Sequence, residues 1–179
     1  MSVESRLVGV KLQGGLGNQL FQFAAGLSIA ERLHAGIRLD GSAYGRDPER
    51  RMALGEFGLM LPPCRDPRTA GRLRRLGARL GLMSDPFLSA TIVGDTPKFD
   101  AAFHGAATPC YLDGFFQSWR YFEGHEVSIR AKFDPARLST PGTVPMEDRI
   151  RSAANPVAVH VRRGDYARSA EHYREALAL

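Results

Sequence analysis

The chain has only two cysteines in 179 residues, Cys64 and Cys110, and they stand far apart with no paired spacing. That excludes a disulfide-stapled scaffold and a cysteine-built zinc site, and leaves two free thiols as the expectation. No run approaches the roughly 18 to 20 consecutive apolar residues that a membrane-spanning helix needs. The opening Met-Ser-Val-Glu-Ser-Arg6 has no apolar signal core, so the expected location is the cytoplasm. Internal repeats and low-complexity tracts are missing too. What remains is ordinary: 44% hydrophobic and 24% charged residues describe a globular chain, neither a disordered tail nor a collagen-like rod. The length suits one α/β domain with a real core and falls short of two complete ones.

The charge is concentrated. The formal net charge is +5. Arginines 65, 68, 72, 74, 75 and 79 face a single acid, Asp66, while the remainder of the chain is balanced. Such a block is most often a solvated helix face, here with Leu73, Leu76 and Leu80 underneath at helical spacing. A second reading holds it against anionic lipid at the inner face of a membrane, as a peripheral contact. RNA binding would need interleaved aromatics, and this segment has none; no nucleic-acid partner is expected.

Residues 7–12 (LVGVKL) read as a short buried strand running into Gly14-Gly15-Leu16-Gly17. A helix is expected from Asn18 to about His34, with Leu20, Phe23, Ala24, Leu27 and Ala30 on its apolar face. Asn18 suits its N-cap and Gly36 its stop, and Gly36–Asp40 follows as a second strand. Strand, glycine turn, helix and strand make a βαβ start, hence an α/β fold with a parallel sheet. Residues 41–66 read as loop with one helical turn near Phe57. A basic helix is expected over 68–82, a strand over 111–116 and a helix over 118–133. An irregular connection through Pro135, Pro141 and Pro145 leads to a short helix ending near Ala154. Val157 to Val161 (VAVHV) reads as a central parallel strand, and a last helix runs from about Ser169 to Leu179.

Three segments carry chemistry. The glycines of Gly14-Gly15-Leu16-Gly17-Asn18-Gln19 let a ligand approach the backbone, and the helix behind them offers unpaired N–H groups to an anion. Asp40 stands about where the ribose-binding acid of a dinucleotide site would be. Leu20, however, occupies the third glycine position of that fingerprint, which speaks against nicotinamide binding. There is no Gly-Lys-Ser/Thr and so no P-loop. The second segment is His160-Val161-Arg162-Arg163-Gly164-Asp165-Tyr166, at the C-terminal end of an expected strand. Alternation puts His160 and Arg162 on one side, and an arginine fork there suits a phosphate; the plainer reading is a pair of arginines capping the sheet on Asp165. The embedded Arg-Gly-Asp is discounted as an adhesion signal because it emerges from a sheet. The third is 111–122 (YLDGFFQSWRYF), where Phe115 and Phe122 read as core and Gln117 and Ser118 as hydrogen-bonding groups for a sugar.

Together, Gly14 to Gln22 (GGLGNQLFQ), Asp113 to Ser118 (DGFFQS) and His160 to Tyr166 (HVRRGDY) resemble, in order and rough separation, the motifs of the alpha-1,2-fucosyltransferases, glycosyltransferase family 11. The resemblance runs from about residue 7 to the end, with the arginine-rich middle contributing little. It implies inverting, metal-independent transfer of L-fucose from GDP-fucose to a galactoside 2-hydroxyl, with no cofactor and no metal site. GDP-fucose and a galactose-containing glycan would be its partners. The implied fold is a two-domain, GT-B-like pair of Rossmann-like domains. Residues 1–154 would form the N-terminal, acceptor-side domain, and 155–179 the first strand and helix of the donor domain. Arg162 would meet the GDP phosphates as the catalytic cation, with His160, Arg163, Gly164 and Asp165 completing the donor segment. Gly15, Gly17, Asn18, Gln19 and Gln117 would line the cleft. No histidine or carboxylate announces itself as the general base. Family members continue well past the position of Leu179, so most of the guanine and ribose pocket is expected to be missing from these residues. The rival expectations are a remnant without catalysis and a basic nucleic-acid or membrane-surface module.

Overall fold

The computed structural model describes residues 6–46, 50–80, 85–94, 99–138 and 140–158. The chain forms two compact units, Met1–Leu138 and Ser139–Leu179. The first holds a four-stranded, all-parallel sheet: β1 (Leu7–Lys11), β2 (Gly36–Asp40), β3 (Thr91–Gly94) and β4 (Cys110–Asp113), in the order β2-β1-β4-β3. Helix α1 (Leu16–Leu33) joins β1 to β2, and α2 (Arg72–Arg79) lies in the long connection to β3. α3 (Glu126–Lys132) follows β4. The second unit contains α4 (Val144–Ser152), its N-terminal turn holding Pro145. Val157 is 85% exposed irregular backbone. Ala158 is likewise exposed and irregular; residues 159–161 of the expected strand, and the helix over 169–179, lie outside the described residues.

The strand–turn–helix–strand expectation holds, with two boundary corrections. α1 starts at Leu16 with Gly15 as its N-cap, so Asn18 sits inside the first turn. Its amide oxygen accepts a hydrogen bond from another loop instead of capping the helix. At the other end His34, not Gly36, turns left-handed (φ 50°). The Ala35 N–H then closes onto Ala30 O at 2.8 Å, which satisfies a carbonyl the helix would otherwise leave open. Gly36 opens β2, opposite Leu7.

Alternation along β1 sorts the core. Val8 and Val10 face α1, in register with Ile37 and Leu39 of β2 and with Cys110 and Leu112 of β4. With Phe23, Leu27 and Ile29 from α1, they make a closed apolar layer. Gly26 brings the helix down onto the sheet: a Cβ there would run into Val10 Cγ2. On the other face a Cβ at Gly9 would come within 2.8 Å of the Tyr111 ring and 2.9 Å of Phe87. Glycine therefore leaves room for two aromatic rings against the centre of the sheet.

The structure shortens or breaks several expected elements. β4 ends at Asp113, short of the expected 116; three residues on, Phe116 takes a left-handed backbone (φ 51°) while its ring is buried against Phe103 and Tyr121. The helix expected over 118–133 is a single 3-10 turn (Trp119–Phe122), a break at Gly124 (φ 83°), and α3. β3 was not foreseen, being four residues with mostly exposed side chains. Phe115 is 41% exposed, not core. The basic helix is only α2, preceded by a 3-10 turn at Pro67–Thr69. Its leucines are not underneath: Leu73, Leu76 and Leu80 face solvent.

Cys64 and Cys110 are both free, as expected, and lie on opposite faces of the sheet. Burial, reinforced by Asp40, pushes the Cys64 thiol up to about 12, and burial pushes Cys110 up to about 11. Both are protonated at neutral pH and therefore poor nucleophiles. Iodoacetamide at pH 8 is expected to label neither at an appreciable rate in the native chain and both rapidly in denaturant, read by intact mass. Gly26→Ala adds helix propensity but overfills the α1–β1 contact, so a net loss of about 1–3 kcal/mol in denaturant unfolding is expected. Combining it with Val10→Ala should cost less than the sum of the two single losses.

Candidate functional site

In a parallel sheet, ligands bind beyond the C-terminal strand ends, at the point where connections depart to opposite sides. Here that point lies between β1 and β4: from β1 the chain moves outward to β2, while β4 has β3 on its other side. The loops that leave these strands, residues 12–15 and 114–118, carry two of the three motifs.

They meet in space. The Gln117 amide, exposed at the end of its loop, donates to Asn18 Oδ1 at 2.6 Å. Beside this bridge the three glycines divide by cause. Gly14 has φ 78°, and a Cβ on it would strike the Asn18 side chain, so the turn itself requires glycine. Gly15 and Gly17 are exposed; neither has a positive φ, and a Cβ on either would meet nothing within 4 Å. Packing and backbone within the first unit place no demand for glycine there. The result is a bare stretch of backbone at a helix start with no acidic residue in its first turn. The Leu16 and Gly17 N–H groups have no hydrogen-bond partner among the described residues.

Gln19 departs from its expected role. It is fully buried, and its amide is spent on backbone: Nε2 donates to Arg51 O (2.9 Å) and Gly14 O (3.3 Å), and Oε1 accepts from Ala53 N (2.8 Å). Gln22, also fully buried, brackets Gln13 by accepting from its N–H (3.0 Å) and donating to its carbonyl (3.3 Å). Tyr44 adds a hydroxyl bond to Gly14 O at 3.0 Å. These side chains hold the glycine loop from below and do not line a cleft.

Charge collects at the same strand ends. Lys11 and Asp113 close the adjacent strands β1 and β4, on the face of Gly9 and Tyr111, and pair at 2.9 Å. The other Asp113 oxygen takes Arg68, which also binds Asp66 at 2.6 Å. Hydrogen bonds to Asp66, then to Asp113, raise the Arg68 guanidinium further above its usual range. The Arg68 hydrogen bond holds the Asp66 carboxyl below its own. Both oxygens of Asp113 are thus engaged, a poor arrangement for a general base. Asp40 is unavailable to a ribose: it is 1% exposed, accepts from Tyr111 Oη at 2.6 Å and caps Ser42 N at 2.9 Å. Burial, then the Asp40 bond, raises the Tyr111 phenol far above its ordinary value. A cavity of about 540 Å³ opens on the same sheet face, between Arg38, Cys64, Arg65, Arg74, Asp85 and Phe87.

Of the sequence-predicted residues, the structure brings together Gly15, Gly17, Asn18 and Gln117. Ser118 caps the next turn, accepting from Arg120 N at 3.4 Å. His160, Arg162, Arg163, Gly164 and Asp165 lie outside the described residues. The Lys11–Asp113–Arg68 network was not foreseen, although the signal existed: Lys11 and Asp113 end adjacent strands with the side-chain parity of Gly9 and Tyr111.

No family model and no solved structure matches the chain. Two curated proteins of Escherichia coli do. An alpha-1,2-colitosyltransferase is 29% identical over 173 residues, covering 92% of this chain and 57% of its own length. An O-antigen biosynthesis glycosyltransferase, WbnK, is 26% identical over 176 residues, covering 87% of this chain and 58% of its own. The chain thus spans somewhat more than half the length of these relatives, and what it resembles over nearly its whole extent is glycosyltransferases.

Proposed function

We propose that these residues are the acceptor-side part, with the beginning of the donor domain, of a glycosyltransferase that moves L-fucose from GDP-fucose to a galactoside 2-hydroxyl with inversion and without a metal. The observation that carries the reading is the similarity to two glycosyltransferases over about nine-tenths of the chain. The bare Gly15–Gly17 backbone at the sheet's switch point supports it, because it is shaped for close approach of a ligand and for nothing in the first unit's own packing. In the reaction, cleavage of the bond between fucose and phosphate builds negative charge on the departing diphosphate. A fixed guanidinium, assigned here to Arg162, stabilises that charge without proton transfer. His160, Arg163, Gly164 and Asp165 complete that donor segment.

A second reading changes only the sugar. The name of the 29%-identical relative favours colitose transferred in an alpha-1,2 linkage. Assaying nucleotide-linked fucose and colitose side by side with one galactoside acceptor separates the two.

GDP is expected to raise the melting temperature of the chain, and Arg162→Ala to abolish that rise. Identical melting with and without GDP at millimolar nucleotide would instead point to a remnant that does not hold the donor. Gly17→Ala gives a sharper test. Replacing a helical glycine whose Cβ would meet open space should raise stability by about 0.5 kcal/mol. The same change should weaken ligand binding or transfer about ten-fold, a methyl group now standing where the ligand approaches. A variant both more stable and fully active would remove the glycine edge from the site.

A further inference from the structure

Helix α2 turns one arginine, Arg74, toward the protein. Arg74 pairs with Asp85 and so fastens it to the protein, while Arg75 Nε donates locally to Ala70 O at 3.1 Å, just before the helix. Leu73, Leu76 and Leu80 are 85%, 51% and 62% exposed. At about 100° per residue the three lie within about 60° of arc, and exposed Arg72 stands beside them. Isolated exposed leucines are unremarkable, but two at i and i+3 on one helix, with a third at i+7 in the turn that closes it, make a patch that needs a cover.

The cover must accept leucine side chains and carry negative charge, since the 65–79 segment holds the chain's whole cationic excess. A second copy of the chain would bring the same positive block to the contact. RNA offers no receptor for aliphatic side chains, and the segment lacks the aromatics that stack on bases. An anionic bilayer meets both demands, with acyl chains below a plane of phosphates. We propose that α2 is a peripheral docking surface for anionic phospholipid, its leucines entering the interface and Arg72 meeting the phosphates. This surface uses neither the glycine loop nor Arg162, so it stands or falls separately from the transferase reading.

Co-sedimentation of the full chain with vesicles tests it. Binding is expected to phosphatidylglycerol/phosphatidylcholine vesicles at 0.1 M salt and not to pure phosphatidylcholine, and it should fall away at 0.5 M salt. Leu73→Ser with Leu76→Ser should weaken partitioning at least about ten-fold with an unchanged melting temperature. Leu73→Ser alone serves if the pair lowers that temperature. Arg72→Ser should cost about five-fold. The proposal is overturned by failure to sediment with anionic vesicles, by equal binding to neutral ones, or by binding indifferent to the leucines. A concentration-dependent dimer dispersed by the leucine variant without vesicles would assign the patch to a second copy. Binding to polyuridine RNA in place of vesicles would assign it to nucleic acid.

Discussion

Two buried glutamine amides set the geometry at the top of the sheet. Gln19 and Gln22 are completely enclosed, and a buried amide left without partners costs about 1–3 kcal/mol per unmet group. Their partners are backbone groups of Gln13, Gly14, Arg51 and Ala53. The loop after β1 is therefore not free to wander, because displacing it would strand polar groups in an apolar layer. Gly15 and Gly17 are held out to solvent by interactions in which they take no part.

The opposite face of the sheet is organised by charge. Asp40 is locked to Tyr111, while Lys11, Asp113, Arg68 and Asp66 form a chain of ion pairs that ties the 66–69 turn across the strand ends. That turn leads into α2, whose orientation is fixed in the same way, by Arg74 on Asp85. Arginine thus serves three ends within fifteen residues: a tether at 68, an anchor at 74 and a solvent-facing cation at 72. Counting the charge of the block could not separate these roles.

The first forty residues were legible because their signals agree. β-branched alternation, a glycine turn and a helical apolar period all point to one βαβ unit, and its register follows. The middle was illegible for the converse reason. β3 is four residues long, buries little and leaves almost no pattern. The leucines of α2 obey helical spacing, but spacing reports that they share a face, not which way the face points; only the ion pair with Asp85 settles that. At the site, residue type singled out Asn18 and Gln117 as polar groups at strand-to-helix turns, but nothing in it gave the hydrogen bond between them. It misjudged Gln19, because an amide suited to a sugar is equally suited to a backbone carbonyl.

The strand order also governs assembly during synthesis. β1, α1 and β2 are contiguous and can close early, whereas β4 must slot in beside β1 from roughly a hundred residues downstream, a slow, non-local step. Until it arrives, the strand destined for the centre of the sheet is an open edge, and the Asp40 carboxylate has no phenol to meet it. The arrival of Tyr111 thus pairs that edge and satisfies the buried acid together.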